Sequence, residues 1–133
     1  MLFRSPGSRV LGFKLHACAR SWAPPRSQNL NLLATERRDV FTNGHFAESG
    51  AQLLSITYPL AVGYTHIGTN AVMNEPCPRW NVPTLAQALA NAPLSAFDYV
   101  WLIDVPGQQL PSDSRLKLIW HDAGSTLYAV VLQ

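Results

Sequence analysis

Charge is what this sequence has least of. Asp, Glu, Lys and Arg make up 14% of its 133 residues, against about 25% in an average soluble domain. Its surface must therefore be built largely from Ser, Thr, Asn, Gln, Pro and backbone. Cysteine is nearly absent too. Cys18 and Cys77 cannot form a disulfide framework for a chain of this size. Without a CxxC or His-rich cluster beside them, they predict no metal site and two free thiols. No apolar run approaches the 18 or so residues that cross a bilayer as a helix. The closest candidate, Ser49 to Asn74, lacks formal charge but contains Gln52, Pro59, His66 and Asn70. It would leave too many polar groups in hydrocarbon, and reads as a strand followed by a long loop. Gly63 and Gly68 fit neither the Walker nor the dinucleotide pattern, so no cofactor is expected.

What is present is a core. Apolar residues make up 47% of the chain, inside the globular range and enough for one domain. Charge is unevenly spread. Residues 1–35 carry Arg4, Arg9, Lys14, Arg20 and Arg26 without an acid, whereas residues 36–133 carry five basic residues against eight acids. Nucleic-acid binding is not expected, because a binding domain gathers its cations on a folded face or along one helix. The first 26 residues read instead as a flexible, Pro- and Ser-containing basic arm. The folded domain is expected over 27–133. Arg and Ser without acids is also the composition of an organelle transit segment, so import through residues 1–26 is the alternative.

Along the body, Ser27 can cap a short helix over Gln28 to Ala34, or Leu30 and Leu32 can open a strand. Leu33 to Phe41 reads as a strand or helix end, followed by a turn at Asn43-Gly44. Ala51 to Tyr58 is β-rich and stopped by Pro59. Thr84 and Gln87 have the spacing of a capping box ahead of a helix of about two turns, ended near Pro93. Phe97 to Val105 is the strongest strand, apolar on both faces at its middle. Leu116 to His121 and Thr126 to Leu132 alternate around Asp122-Ala123-Gly124-Ser125 and predict a hairpin. Strand 52–58 should reach strand 97–105 by a right-handed parallel crossover. The expected class is α+β: a small mixed sheet with one parallel βαβ crossover, a C-terminal β-hairpin and helices mainly on one face.

The candidate chemistry is sparse. Asp104 ends the best strand, where α/β sheets gather ligands, yet an Asp before Val-Pro-Gly also serves simply as a turn cap. Asp98, at the other end, reads as an exposed edge acid. His121, Asp122 and Ser125 are the residue types of a catalytic triad. They crowd into one turn, whereas a triad is assembled from separate elements around an oxyanion hole, and no GxSxG elbow is present. Asp104, His121 and Asp122 are thus the weak catalytic candidates. Arg37 and Arg38, between Glu36 and Asp39, form a self-neutralising cluster. Trp101 and Trp120 fall on strand positions, where core packing is the default.

Three stretches together carry a resemblance. They are Glu36-Arg37-Arg38-Asp39-Val40-Phe41-Thr42-Asn43-Gly44, leading through Phe46 to Gly50-Ala51-Gln52-Leu53-Leu54; Phe97-Asp98-Tyr99-Val100-Trp101-Leu102-Ile103-Asp104; and Trp120 with Gly124-Ser125-Thr126-Leu127-Tyr128. The chain resembles, over about residues 30–131, the C-terminal soluble domain of bacterial polytopic membrane proteins laid out like lipid-linked-sugar glycosyltransferases. The matched motifs are packing and turn patterns, so the resemblance assigns no catalytic residue. It implies an extracytoplasmic or membrane-peripheral setting, with a membrane protein or membrane surface as partner and a glycan or lipid-linked sugar nearby. The family's membrane segments are missing here, which makes the chain a stand-alone relative or a piece of a longer parent. A non-catalytic accessory domain is the leading expectation. A small sugar-binding protein or enzyme using the strand ends near Asp104 and His121 is the alternative.

Overall fold

A computed structural model of the chain describes residues 7–18, 30–43, 57–65 and 68–132. The architecture is a mixed α+β fold around a six-stranded sheet that is part parallel and part antiparallel. The strands are β1 (Arg9–His16), β2 (Phe41–Thr42), β3 (Ala71–Met73), β4 (Tyr99–Ile103), β5 (Leu116–His121) and β6 (Ser125–Val130). The helices are α1 (Leu30–Arg38) and α2 (Leu85–Asn91). The sheet order is β2-β1-β4-β6-β5, with β3 also paired to β1.

The largest correction to the sequence analysis concerns the basic arm. Residues 9–16 are no arm but a central strand, parallel to β4 on one side and to β2 and β3 on the other. The physical reason lies in the run Val10-Leu11-Gly12-Phe13. A strand covered on both faces must be apolar at successive positions, and Val10, Leu11 and Phe13 are all fully buried. Gly12 and Lys14 interrupt the apolar run without breaking the strand. The parallel partner of β4 is therefore β1, and not the segment before Pro59. Residues 51–56 of that expected strand lie outside the described residues, and 57 and 58 are not in a strand.

Successive residues of β1 and β4 serve two cores. Leu11, Phe13, Val100, Leu102 and Tyr128 pack with Leu85, Ala88 and Leu89 of α2. Val10, Trp101, Ile103 and Leu127 pack on the opposite face with Ala34 of α1. Short 3-10 turns at Pro59–Ala61 and Leu94–Ala96 add Ala61, Leu94 and Ala96 to the α2 side. The two helices thus lie on opposite faces and not mainly on one, because a β1 that is apolar at successive positions needs cover on both sides. The capping box is present: Gln87 N–H donates to Thr84 Oγ1 at 3.3 Å, and Thr84 N–H donates to Gln87 Oε1 at 3.0 Å. Arg37 and Arg38 sit in the last turn of α1, where cations offset the helix dipole.

Two side chains tie β1 to its neighbours, Arg9 from its first residue and Asn43 at its middle. Arg9 grips Asp98 with its Nε at 3.0 Å and a terminal nitrogen at 2.7 Å, while its other terminal nitrogen donates to the Tyr58 hydroxyl at 2.9 Å. Asp98 is thus a bonded partner, its carboxyl held below the ordinary Asp value chiefly by the Arg9 guanidinium. Asn43, which the sequence places in a turn, is fully buried. Its amide accepts from Gly12 N–H at 2.6 Å and donates to Gly12 O at 3.0 Å. This bridges the gap between β2, which pairs with Arg9 and Val10, and β3, which pairs with Lys14 to His16.

The two thiols, expected free, form a disulfide with their Cα atoms 5.6 Å apart. The cause is the β1–β3 pairing. His16 lies opposite Met73, so the chain just beyond each strand carries Cys18 to Cys77. Closing a loop across a separation of 59 residues should remove unfolded-state entropy worth about 4 kcal/mol. Denaturant melts of the oxidised and the reduced protein should therefore differ by about 2–4 kcal/mol. Coincident curves would contradict this role for the bond.

Candidate functional site

The carboxyl ends of parallel strands are where open sheets place ligands. Here the end of β1 and the end of β4 bring Lys14 to Asp104. Lys14 is on the α1 face, opposite Ile103 in register, and only 5% exposed. Its ammonium donates to Asp104 Oδ2 and, at 3.1 Å, to Leu15 O. A buried ammonium is tolerated only with such partners. Asp104 adopts a left-handed backbone conformation, φ 58°, which Asp accepts more readily than most residues. Its N–H donates to Gly124 O at 2.9 Å, tying it to the β5–β6 turn. Its side chain is 45% exposed, so one end of the ion pair reaches solvent and the other does not.

His16 lies two residues beyond Lys14, on the same face of β1. Burial pushes its imidazole below the ordinary His value, the Lys14 charge pushes it the same way, and the Asp104 carboxylate opposes both. The arrangement is a half-open cluster of ammonium, carboxylate and imidazole at one strand end. Neither Lys14 nor His16 belonged to the site expected from sequence, because both fell in the stretch assigned to the arm. The continuous apolar run Val10-Leu11-Gly12-Phe13 is the signal that points to them.

The other two candidates go elsewhere. His121 Nδ1 lies 2.7 Å from Thr126 Oγ1. Thr126 pairs with Leu102 of the α2 face, whereas Lys14 pairs with Ile103 of the α1 face. His121 and Asp104 thus work on opposite faces of the sheet. Asp122 caps its own turn, accepting Gly124 N–H at 2.9 Å. Ser125, the third triad-type residue, accepts a hydrogen bond from the Trp101 indole. The turn places these groups in three separate local roles. No group of three or more His, Cys, Asp or Glu suited to hold a metal occurs among the described residues. His45 and His66 lie outside them.

A cavity of about 260 Å³ opens on the α2 side of the same strand ends, lined among others by Leu15, Met73, Asn74, Thr84, Leu85 and Gln109. Among the described residues, its lining holds no ionisable side chain. The Asn74 and Gln109 amides suit it to a small neutral group. Comparison with protein families, with curated proteins and with solved structures finds no match to this chain.

Two predictions follow from the pair and its neighbour. Asp104→Asn keeps a residue that tolerates the left-handed backbone but removes the charge, leaving a buried ammonium unneutralised. It should cost about 1–3 kcal/mol in chemical denaturation, less than for a fully buried pair because Asp104 is half exposed. Lys14→Met lets Asp104 rehydrate and should be nearly neutral. Equal costs for the two variants would overturn this asymmetry. For His16, a folded-state value below the unfolded one means that the native protein disfavours the proton. Stability should be full above the unfolded value of 6.5 and fall as pH drops below it. His16→Gln should flatten that slope between about pH 7 and 5. An unchanged slope would show that the imidazole is not desolvated as described.

Proposed function

We propose that the chain is a non-catalytic accessory domain that rests against a membrane protein or membrane surface on the extracytoplasmic side. The lipid-linked-sugar glycosyltransferase-like proteins that its sequence resembles are the intended setting. The observation that carries this is the segment between β2 and α2. Between Ser49 and Phe97 only Glu75 and Arg79 are charged, and Leu60, Val62 and Trp80 are 64%, 72% and 51% exposed. Large apolar groups held out on a nearly neutral surface suit contact better than solvation. The Cys18–Cys77 disulfide supports the compartment, since such bonds persist mainly in oxidising surroundings. No helix among the described residues is long and apolar enough to cross a membrane, so on this reading the domain meets the bilayer or its partner from outside.

A second reading, a small sugar-binding protein, draws on Asp104. Its half-exposed carboxylate is fixed by Lys14 at the carboxyl ends of β1 and β4. A buried ammonium explains that fixation as a structural need, which is why the contact reading stands first.

A titration of the ¹⁵N-labelled protein with a water-soluble, short-chain prenyl-phosphate sugar separates the two. The accessory-domain reading expects NMR shift changes confined to residues 57–82. Changes centred on Asp104 and Gly124, reproduced by the free monosaccharide, would favour the sugar-binding reading. A protein that stays monomeric and shows no shift with either compound would overturn both.

A further inference from the structure

The turn Pro59 to Tyr64 has a construction that the core does not require. Ala61 is fully buried against the α2-side core, while the residues on either side of it, Leu60 and Val62, are among the most exposed apolar side chains described. Val62 adopts a left-handed conformation, φ 45°. For a β-branched residue that is a true outlier, and Gly or Asn would occupy the position without strain. Gly63, next to it, is also left-handed at φ 88°. The turn is nonetheless closed: Val62 N–H donates to Pro59 O at 3.2 Å, and Tyr64 N–H donates to Ala61 O at 3.0 Å.

Both flanks are anchored. The Tyr58 hydroxyl donates to Ala96 O and accepts from Arg9. The Tyr64 ring meets Phe13 edge-on, with centroids 6.5 Å apart. Leu60 and Val62 are therefore presented on a rigid base, with their ordering cost already met by folding. No Asp, Glu, Lys or Arg occurs from Ser49 to Asn74.

We infer that this turn is a wedge for the interfacial layer of a lipid bilayer, with Leu60 and Val62 entering the headgroup–acyl boundary. The inference rests on the accessory-domain reading and names what that surface touches. Lipid fits better than a protein partner on size. Two side chains cover far less than the roughly 800 Å² per partner of a standard protein interface, whereas shallow insertion at a bilayer surface needs only a small apolar area. Because the tip carries no formal charge, apolar burial rather than anionic lipid should govern its binding.

The test is co-sedimentation of the full chain with phosphatidylcholine vesicles, at low and high salt, for the wild type, Val62→Gly and Leu60→Ser. Wild-type binding should survive high salt. Each variant should lower the partition coefficient at least tenfold, as expected for withdrawing about two buried methyl groups. Val62→Gly should do so without lowering Tm, because glycine relieves the left-handed strain. Leu60→Ser provides the loss of apolar surface without a backbone change.

Binding only to vesicles containing phosphatidylglycerol, abolished by salt, would assign the contact to the basic residues and overturn the wedge. Variants that sediment like the wild type would overturn it as well. Absence of vesicle binding together with the shift changes over 57–82 in the prenyl-phosphate titration would sink the wedge and leave the accessory-domain reading standing.

Discussion

Everything in this fold is hung on the pairing of β1 with β4. That parallel ladder runs from Val10 opposite Tyr99 to Lys14 opposite Ile103. It supplies the middle of the sheet, and the two cores form on its two sides. Leu11 and Phe13 receive α2, and Val10 receives α1. The ladder also decides where the chemistry falls. One end brings Arg9 to Asp98, and the other brings Lys14 to Asp104. Beyond that second end, β3 lies beside β1 and the chain leads on to the Cys18–Cys77 bond. Without β1, Asp104 would be an ordinary turn residue and Cys77 a free thiol.

How much of this was legible depended on whether the signal was local. The capping box at Thr84 and Gln87 involves groups three residues apart, and its spacing could be read directly. The β5–β6 hairpin could be read from alternation around one turn, and β4 from a continuous apolar run. The class, a small mixed sheet with α and β segments, came from those three elements. The disulfide spans 59 residues and the Lys14–Asp104 pair 90, and nothing local announces either. The composition around β1 conceals it. Five cations and no acids in residues 1–35 suggested a solvated arm, but those cations are spaced so that Lys14 can bury its stem and Arg9 can reach Asp98. Asn43 misled in the same way. Next to Gly44 it has the composition of a turn, yet its amide satisfies the backbone of Gly12 in place of a missing strand residue.

The candidate site and the proposed contact surface then have different physical characters. At the strand ends, the charges neutralise one another: ammonium with carboxylate, imidazole depressed by burial and by the ammonium. A cluster satisfied in this way holds the end of the sheet together. The segment from 57 to 82 carries almost no charge, and the exposed apolar residues there sit on anchored turns. Burial is deepest on β1 and β4, whereas Leu60, Val62 and Trp80 stand exposed between β2 and α2, and Leu118, Ile119, Val131 and Leu132 on the β5–β6 edge.

Amide hydrogen exchange across β1 tests the central structural claim most directly. The account predicts that the interior amides of Val10 to Leu15 exchange only through global opening, at rates matching those of Val100 to Leu102 in β4. Exchange of the β1 amides on the timescale of an unprotected segment, while β4 stays protected, would contradict it. The basic stretch would then be an arm after all, and the site, the disulfide and the sheet order would have to be rebuilt without it.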